Sequence, residues 1–374
     1  MSKFQSDIDL NLNELQNAKI HMLSSDPVSP VEAVFWYNTT SKKLKYFDGT
    51  SVKILGVVGD AASAGGSSGQ VQFNNAGSLA GITNVRVVNS ELFFDLVTAP
   101  TTPVTDGVKL FSNKIAEKQI LITKDKHGIE SFLQPSFFEK NIQLYKAAGS
   151  VNQVTVLGGM TLSATGTATG SVISTTNIYT KSKIIEYLVT VATTTAVAGF
   201  RTNNGQYFRG TAGSAGGFFF VCRWGCATGV ATATNRACVG LHSNQAAPTD
   251  VEPSTILNQL SMGWDAADAN IQIMSNSAGG AATKTDLGAS FPVPTANRTK
   301  VYQIAFYCPA GSNIVYYTAM DIGTGAVASG SLDGSLVKIP TSPSLLGLKG
   351  WMSVGGTSSV IGIGLHGAYI ETDY

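Results

Sequence analysis

The 374-residue sequence predicts an all-β protein, in which small N-terminal β-meander modules precede a C-terminal jelly-roll β-sandwich. Only 13% of the residues are charged, whereas about 25% is usual, and small polar residues take their place. The 40 glycines, together with Asn and Ser, separate short runs that are rich in Val, Thr and aromatic residues. Such runs are typical of strands joined by tight turns. Long amphipathic helices would need more Leu, Glu, Lys and Arg.

The charge pattern argues against two classes of partner. Lys and Arg number 25 against 24 Asp and Glu, and no basic block occurs, so nucleic acid and anionic membranes are not expected partners. The first ten residues contain acids where a signal peptide has an apolar run. No stretch approaches the roughly 18 apolar residues of a membrane span. We therefore expect synthesis in a cytoplasm, no membrane insertion, and any extracellular role to be reached by assembly into a particle.

Residues 1–60 form the first predicted module. Residues 8–12 alternate apolar and polar side chains, as a half-buried strand does. After a break at residues 24–30, aromatic-rich segments and an Asp48-Gly49 turn predict a meander. Its strands are expected at residues 33–37, 43–47 and 52–55.

The meander carries the pattern W-Y-N-T-T-x-x-K-L-x-Y-x-D-G-T at residues 36–50. This pattern resembles a small module that recurs in fibre and tail proteins of tailed bacteriophages. A Gly commonly precedes the first strand in that family, whereas Glu32 or Ala33 stands there in this chain. We interpret the aromatic residues as cross-strand packing and not as ligand contacts. The resemblance implies that residues near 1–60 attach the chain to other virion structural proteins.

Residues 61–96 are predicted to hold a Gly/Ser linker and a small β-bead. The linker at residues 60–69 is flexible by composition, or its glycines allow chains to approach closely at a trimer axis. The motif G-Q-V-Q-F-N-N-A-G-S-L-x-G at residues 69–81 resembles a bead of phage fibres, and strands are expected at 85–88 and 92–96. A unit of about 27 residues cannot bury enough apolar surface alone. We therefore expect a homotrimer in which three copies share one core.

Residues 97–150 are interpreted as a connector or shoulder that docks on another subunit. Strands are predicted at residues 108–111 and 119–123, with a turn at His127-Gly128. An apolar cluster follows, and residues 137–148 are predicted to form a short helix.

Residues 151–374 are predicted to form a sandwich or jelly roll, because many short strands recur between turn signals; that it is lectin-like is implied by a resemblance described below. A short helical turn is expected around residues 249–258, starting where Glu252-Pro253-Ser254 is followed by residues 255–260. The runs G-F-F-F-V-C-R-W-G, A-P-T-D-V-E-P-S-T, M-G-W-D-A-A-D-A-N-I-Q-I-M and A-Y-I-E-T-D-Y are similar to C-terminal domains of phage fibre proteins, which implies a concanavalin-like fold. The strands are expected at residues 154–157, 184–191, 217–224, 236–241, 259–264, 271–274, 301–307, 314–320 and 361–370.

Three cysteines and a histidine have a spacing that superficially suggests a zinc site. Cys222, Cys226, Cys238 and His242 read C-x3-C-x11-C-x3-H. The alternative, which we favour, is that the cysteines are small buried hydrophobes on two strands. We expect no metal, no cofactor and, in a reducing compartment, no structural disulfide.

The sequence predicts a protein without enzymatic activity. Asp265 and Asp268 are the closest acidic pair for a glycan depolymerase, but their surroundings favour a turn in which Asp caps the backbone. The chain has four histidines and no G-x-S-x-G elbow, and its glycines do not open helices as phosphate loops require. His242 and His366 are interpreted as structural residues at strand ends.

Exposed aromatic and amide side chains are the candidate contacts for a glycan or a partner. The stretch 200–209 is the first candidate, although it could equally be a subunit contact. The second is Trp264 with Asp265, for which we favour the alternative that Trp264 and Trp351 lie in the sandwich core. The candidate residues are Arg201, Asn203, Asn204, Tyr207, Arg209, Trp264 and Asp265.

The leading hypothesis is a structural subunit of a bacteriophage virion fibre, on the tail or the head. Its N-terminus would anchor it and its sandwich would face outward for attachment to host-surface glycans. One alternative is a purely structural connector that docks to capsid, collar or tail. A glycan depolymerase spike is the other.

Overall fold

The computed structural model describes residues 20–55, 67–76, 78–97, 100–101, 107–125, 130–133, 140–146, 160–171, 173–174, 183–210, 216–334 and 338–373. The chain divides into two compact units, Met1–Asp95 and Leu96–Tyr374. The strands expected at 8–12 and 154–157, the turn at His127-Gly128 and most of the linker at 60–69 lie outside the described residues. Within them the chain is all-β, as predicted, with 25 strands and one 3₁₀ turn. Nothing in this part is a helix of the length and apolar character that a bilayer crossing requires.

The first sheet of the N-terminal unit is the predicted meander, with a fourth strand that was not predicted. The sheet has the order β1-β2-β3-β4, and β1 lies parallel to β2. Trp36 is completely buried, and Phe35 stacks on Tyr46 of the neighbouring strand, with ring centroids 5.7 Å apart. The expected cross-strand aromatic packing is thereby confirmed. The strands are β1 (His21–Leu23), β2 (Phe35–Asn38), β3 (Lys43–Phe47) and β4 (Val52–Ile54).

The Asp26 carboxylate, in the segment between β1 and β2, binds side chains of β2 and β3. Asp26 Oδ1 accepts hydrogen bonds from Trp36 Nε1 at 3.0 Å and Asn38 Nδ2 at 2.7 Å. Asp26 Oδ2 pairs with Lys45 Nζ at 2.7 Å. The hydrogen bond from Lys45, followed by those from Asn38 and Trp36, lowers the pKa of Asp26 to about 2. Several residues of the W-Y-N-T-T motif region therefore converge on one anion.

The second sheet of this unit is the predicted bead. It has the order β5-β6-β7, and Asn89 and Ser90 make its hairpin turn with φ of 50° and 68°. Apolar side chains stay exposed on it: Val87 by 49%, Leu92 by 57% and Phe93 by 44%. Among the residues that the structure describes, none covers these apolar side chains of the bead. The strands are β5 (Gln70–Asn75), β6 (Ser78–Val88) and β7 (Glu91–Phe94).

The C-terminal unit contains the predicted sandwich. An eight-stranded sheet has the order β13-β14-β25-β16-β21-β22-β23, with β11 also paired to β25, and faces a seven-stranded sheet of order β12-β15-β24-β17-β18-β19-β20. In the eight-stranded sheet the strands are β11 (Lys140–Lys146), β13 (Thr167–Gly170), β14 (Ile185–Thr193), β16 (Phe218–Thr228), β21 (Val301–Cys308), β22 (Ile314–Asp321), β23 (Val327–Asp333) and β25 (Ser359–Asp373). In the seven-stranded sheet they are β12 (Ser163–Thr165), β15 (Val197–Arg201), β17 (Arg236–His242), β18 (Gln259–Trp264), β19 (Gln272–Asn276), β20 (Thr283–Asp286) and β24 (Gly347–Ser353).

Aromatic rings fill the core between the two sheets. Trp224 stacks on Trp264 of the opposite sheet, with ring centroids 6.1 Å apart, and packs against Tyr302 at 5.4 Å. Phe220 stacks on Phe306. All five side chains are at most 1% exposed. The core position expected for Trp264 is confirmed.

The outer face of the seven-stranded sheet is also buried. Cys238 and His242 alternate with the core residues of β17, so they point away from the core, yet both are completely buried. Segment 243–258 bonds to this face, where Lys349 Nζ donates to the Asn244 carbonyl at 2.9 Å. Trp351, which was expected in the sandwich core, packs on this outer side against the His242 ring at 5.4 Å.

The short helical turn expected to start at Glu252-Pro253-Ser254 is confirmed, but it does not continue into residues 256–260. A 3₁₀ turn covers Pro253–Thr255, and β18 already begins at Gln259. Gln259 Nε2 donates to the Pro253 carbonyl at 2.7 Å, so the turn is tied to the sheet that it covers.

The predicted connector is part of the C-terminal unit. It forms a sheet of order β10-β9-β8. Its hairpin tip docks on the eight-stranded sheet of the same chain, where Ala116 is 3% exposed beside Phe219 and Ala305. The Ala116 amide donates to Thr318 Oγ1 at 2.9 Å. The hairpin thus docks within its own chain, and docking of this region on another subunit stays a prediction. The strands are β8 (Val108–Ile115), β9 (Lys118–Asp125) and β10 (Glu130–Phe132).

The helix predicted at residues 137–148 is wrong where the structure describes it. Residues Lys140–Lys146 form β11, which pairs antiparallel with the last seven residues of β25, from Gly367 to Asp373. The edge of that long strand supplies backbone partners that outweigh a local helical preference. The sandwich sheet therefore begins before residue 151, where the sequence places the domain boundary.

Candidate functional site

Five of the seven predicted contact residues lie on one segment, which leaves β15 at one end of the sandwich. The turn chemistry of Asn203-Asn204-Gly205 takes the chain around this end. A Cβ on Gly205 would lie 2.5 Å from the Leu345 carbonyl oxygen, so this close approach requires glycine. Asn203 and Asn204 are both exposed. The segment thus presents amide side chains at the sandwich end, as the sequence indicated.

Tyr207 is held by backbone pairing to the neighbouring loop. Its N–H donates to the Leu346 carbonyl at 3.1 Å, and the Leu346 N–H donates to the Tyr207 carbonyl. The side chain is only 4% exposed, and its hydroxyl has no hydrogen-bond partner among the described residues. Leaving such a group unsatisfied costs about 1–3 kcal/mol. Burial raises the pKa of Tyr207, so the hydroxyl stays protonated and can donate.

Arg209 has a structural position. Its Nη1 donates to the Ser312 carbonyl at 2.8 Å and to Asn313 Oδ1 at 2.6 Å, and its Nε to the Pro340 carbonyl at 3.3 Å. These bonds join the segment around Arg209 to the loop that contains Asn313 and to the loop that contains Pro340. The guanidinium donors are therefore largely engaged within the chain.

Arg201 and Asn203 contact the edge strand β12. Arg201 Nη1 lies 3.5 Å from Thr165 Oγ1, and Asn203 Oδ1 accepts a hydrogen bond from Ser163 Oγ. Both contacts orient the start of the segment on the sheet, while Asn203 keeps an exposed side chain.

A cavity, which we call the end cavity, opens beside Tyr207 between the two sheets. The space that it encloses is about 10 Å³, which is room for about one water molecule. Gln143 Nε2 donates to Gln206 Oε1 at its mouth. Its lining has a polar rim of Gln143, Thr202, Asn204, Gln206 and Tyr207, and an apolar floor of Met160, Phe220, Leu241, Leu348 and Ile370, with Gly347 between them.

Sequence reasoning reached only part of this rim. Asn204 and Tyr207 were predicted, whereas Thr202 and Gln206 lie in the same stretch without having been singled out. Gln143 was missed because its segment was expected to be a helix. Its place on β11, opposite Ile370 of β25, brings it to the sandwich end.

Trp264 and Asp265 lie elsewhere. Trp264 pairs with Ala237 at the other end of β17, whereas Arg201 lies at the end near Gly347. The Trp264 ring is 1% exposed and its Nε1 donates to Asn235 Oδ1 at 2.8 Å. The ring is therefore not available to stack on a sugar, and the structure does not bring all seven predicted residues together.

Asp265 and Asp268 organise a turn. Lys284 Nζ lies 3.2 Å from Asp265 Oδ2 and 2.6 Å from Asp268 Oδ1. Asp265 Oδ1 accepts the Ser254 amide at 3.0 Å, and Asp268 Oδ2 accepts the Asp265 amide at 2.9 Å. Both carboxylates thus cap backbone amides and share one lysine, as the turn interpretation predicts.

The cysteine–histidine set with zinc-like spacing is split between the sheets. Cys222 and Cys226 lie in the core from β16, whereas Cys238 and His242 lie on the outer face of β17, with Sγ and Nε2 3.9 Å apart. All four cysteines are free thiols and buried, and burial raises their pKa values. In the part of the chain that the structure describes, no three His, Cys, Asp or Glu side chains are grouped to hold a metal ion.

His242 lies at the end of β17, as predicted, and is completely buried, whereas His366, which was also expected at a strand end, lies in the middle of β25 and is half-buried. Burial, with Lys349 close by, lowers the pKa of His242 well below its ordinary value. Burial and Arg223 lower that of His366 to about 4. Both rings are therefore neutral at neutral pH, which fits the structural role predicted for them.

Comparison with known proteins gives similarity only among solved structures, and no protein-family model or curated protein matches the chain. Peanut lectin is 10% identical, with 62% of this chain and 97% of that chain covered and a TM-score of 0.40. A carbohydrate esterase of the Shiga toxin-encoding bacteriophage phi24B is 16% identical, over 57% and 90%, with a TM-score of 0.33. The CBM2 module of an evolved Dit protein of Lactobacillus casei BL23 phage J-1 is 16% identical, over 51% and 78%, with a TM-score of 0.34. At these TM-scores the similarities carry no functional argument.

Proposed function

We propose that this chain is a structural subunit of a bacteriophage virion fibre, anchored through residues near 1–60 and presenting its C-terminal sandwich for attachment to host-surface glycans. The observation that carries the proposal is the structure of the N-terminal meander. Trp36, Asn38 and Lys45, which lie within the stretch that resembles a phage fibre module, are the residues that bind Asp26 and hold the sheet together. The resemblance therefore concerns residues that determine a fold.

The location on a virion is tested by imaging purified phage particles labelled with an antibody against the sandwich. We expect label at the outer end of an appendage, with the N-terminal module at its base. If the antibody recognises the protein in the infected-cell lysate but not on the particles, the proposal is wrong. Label at a junction between capsid, collar and tail proteins, with no outward end, would instead favour the connector hypothesis.

We propose a homotrimer for the assembled fibre. The exposed Val87 and Leu92 are cross-strand partners on one face of the bead, which supports a shared core between chains. A molar-mass measurement at micromolar concentration should give three times the 39.1 kDa of one chain. Leu92→Glu should reduce the mass to that of a monomer. Val191→Glu, at an apolar side chain 70% exposed on the sandwich, is the matched control that should leave it unchanged.

We also propose that the chain acts without catalysis. The salt bridges from Asp265 and Asp268 to Lys284 support this, because they occupy the acidic pair that came closest to a depolymerase arrangement. Incubation with host-surface polysaccharide should release no reducing sugar. Release that disappears in Asp268→Asn would overturn this part of the proposal.

A further inference from the structure

The two faces of the N-terminal meander differ in how they are covered. Neighbouring residues of a strand point to opposite faces of a sheet, whereas cross-strand partners share a face. Trp36 is completely buried on the face that the Asp26 carboxylate closes. On the opposite face Met22 is 61% exposed and Phe35 is 47% exposed. This face, which we call the open face, consists of Met22, Phe35, Tyr37, Leu44 and Tyr46.

The open face is a continuous apolar and aromatic surface over three strands. Met22 of β1 is paired with Tyr37 of β2, and Tyr37 is paired with Leu44 of β3. Phe35 stacks on Tyr46 beside them. None of the residues that the structure describes buries these five side chains, all of which stay at least partly accessible. A contiguous apolar surface of this kind marks a place where another segment packs.

Residues 1–19, which precede β1, contain a segment whose pattern matches the open face. Ile8, Leu10 and Leu12 alternate with polar residues. In an extended conformation these three side chains point to one side. A strand with one apolar side needs an apolar surface to pack on, and the open face is the nearest such surface along the chain.

The connection is long enough for this segment to reach the open face of its own chain. Eight residues, 13–20, separate Leu12 from β1, and an extended chain of that length spans up to about 26 Å. The four strands of the meander, spaced about 4.8 Å apart, make a sheet about 14 Å wide. The segment can therefore lie over any strand of the sheet without a second copy of the chain.

The charges of the segment and of the open face are complementary. Residues 7–14 contain three acids and no Lys or Arg. Lys53, the cross-strand partner of Tyr46, lies at the edge of the open face with a side chain that is 50% exposed. Lys53 pairs with Asp48 at 3.5 Å and keeps donors for a second carboxylate. An acidic segment on this face therefore finds a cation at its edge.

We propose that residues 8–12 dock on the open face of their own chain, with the apolar side of the segment against the aromatic side chains of β2 and β3. Both faces of the meander are then covered, one by the segment that holds Asp26 and the other by the N-terminal segment. The inference goes beyond the proposed function, because it concerns how the N-terminal module is completed and not where the chain is attached.

Disulfide trapping in the full-length chain tests this docking. Leu44→Cys places a thiol on the open face, and a second cysteine is placed in turn at each position from 8 to 12. The four native cysteines are buried with raised pKa values, so they react slowly. Under mild oxidation at least one of the apolar positions 8, 10 and 12 should crosslink within a chain at least about tenfold faster than positions 9 and 11, because bridged residues must face each other with Cα atoms within about 7 Å.

Three outcomes of the trapping experiment would overturn the inference. The first is equal crosslinking at all five positions, and the second is no crosslinking at any of them. The third is a product of twice the 39.1 kDa chain mass on a non-reducing gel, which would assign the open face to a neighbouring copy. The indole NMR resonance of Trp36, which lies on the opposite face, shows that each variant keeps the meander folded.

A second measurement does not depend on which positions of the segment and the face lie opposite each other. In the Leu44→Cys chain a thiol reagent should label residue 44 slowly. Adding Leu10→Asp should raise the labelling rate at least about tenfold, since a docked segment exposes the thiol only when it opens. Asn11→Asp makes the same change of charge on the polar side of the segment and should leave the rate unchanged. Equal labelling rates in these two variants would show that residues 8–12 do not cover the open face.

Discussion

The meander near the N-terminus and the C-terminal sandwich are both antiparallel over most of their pairing, yet they are stabilised in different ways. The sandwich buries whole aromatic rings between two sheets, with Trp224, Trp264 and Tyr302 in mutual contact. The meander has four short strands and a single completely buried tryptophan, and its Trp36 ring is fixed by a hydrogen bond to Asp26. Apolar packing is non-directional and tolerates rearrangement, whereas the hydrogen bonds of a carboxylate require its oxygen atoms to hold one position relative to their donors.

The comparison teaches that a small sheet can specify its structure with polar groups where it cannot bury enough apolar area. Such a sheet should be sensitive to single polar substitutions and to pH. The sandwich should be sensitive to the loss of volume. Four predictions test this difference, from the largest expected effect to the smallest.

The largest effect is expected from Trp224→Ala. Removing this completely buried ring leaves a cavity between the sheets and should lower the free energy of unfolding of the sandwich by about 3–5 kcal/mol. Urea unfolding would be followed by near-UV circular dichroism for the sandwich and by the Trp36 indole NMR resonance for the meander. Val191→Ala, at an exposed position, should change the free energy by less than about 0.5 kcal/mol. An equal shift of both transitions by Trp224→Ala would contradict the comparison.

The next effect is expected from Asp26→Asn. This variant keeps the shape but loses the anion that accepts from Trp36, Asn38 and Lys45, and should destabilise the meander by about 1–3 kcal/mol. The Trp36 indole resonance should move towards its unfolded position while the sandwich signal stays unchanged. Glu32→Gln, an exposed acid in the same unit, is the matched control and should have little effect. Loss of sandwich signal in Asp26→Asn would count against the prediction.

The third prediction concerns acid. The pKa of Asp26 is lowered from 3.8 to about 2, so its stabilising contribution is complete above about pH 4 and is lost as the pH falls towards 2. Hydrogen bonds from the Ser51 and Thr50 amides lower the pKa of Asp48 as well, so protonation of Asp48 in acid should also destabilise the meander. The Trp36 indole shift should therefore titrate with a midpoint near pH 2. In Asp26→Asn this titration should disappear, and its persistence there would assign it to another group.

The smallest effect is expected at the docked hairpin, the part of the larger unit that most resembles the meander. Ala116 and Glu117 form its two-residue turn with φ of 48° and 64°, where L-residues are strained. Glu117→Gly should stabilise the C-terminal unit by up to about 1 kcal/mol in urea unfolding. Ala116→Gly should gain less, because it also removes a methyl group packed beside Phe219. A larger gain from Ala116→Gly would show that this contact contributes little.

Much of the sandwich could be predicted from sequence because its strands carry their own local signal. In residues 259–264 apolar side chains alternate with polar or small ones, and residues 301–307 are mostly apolar and aromatic; both are strands as predicted. Less marked strands were missed. β24 reads G-L-K-G-W-M-S, and its lysine is buried only because segment 243–258 covers the outer face of the sheet. That covering is a long-range effect which no local pattern contains.

The candidate site was predictable to the same extent. Exposed amides after β15 indicated a segment in which Asn204 and Tyr207 line one cavity. That the Tyr207 hydroxyl is buried without a partner could not be foreseen, since it depends on the backbone pairing with Leu346. The position of Gln143 at the cavity depends on the pairing of β11 with β25. The role of Asp26 depends on the segment between β1 and β2, which the sequence indicated only as an interruption between strands.

Strand β25 has a consequence for how the chain is made. Its fifteen residues pair with β11 and β14 along one edge and with β16 along the other, and the paired residues are 134 (Thr228 and Gly362) to 233 (Lys140 and Asp373) positions apart in sequence. During translation β11, β14 and β16 stay unpaired on the side that β25 occupies until residues 359–373 have left the ribosome. Because contacts of such high sequence separation slow folding, we expect closure of this sheet to be a late and rate-limiting step of folding, and the unpaired strand edges to be where a chaperone acts.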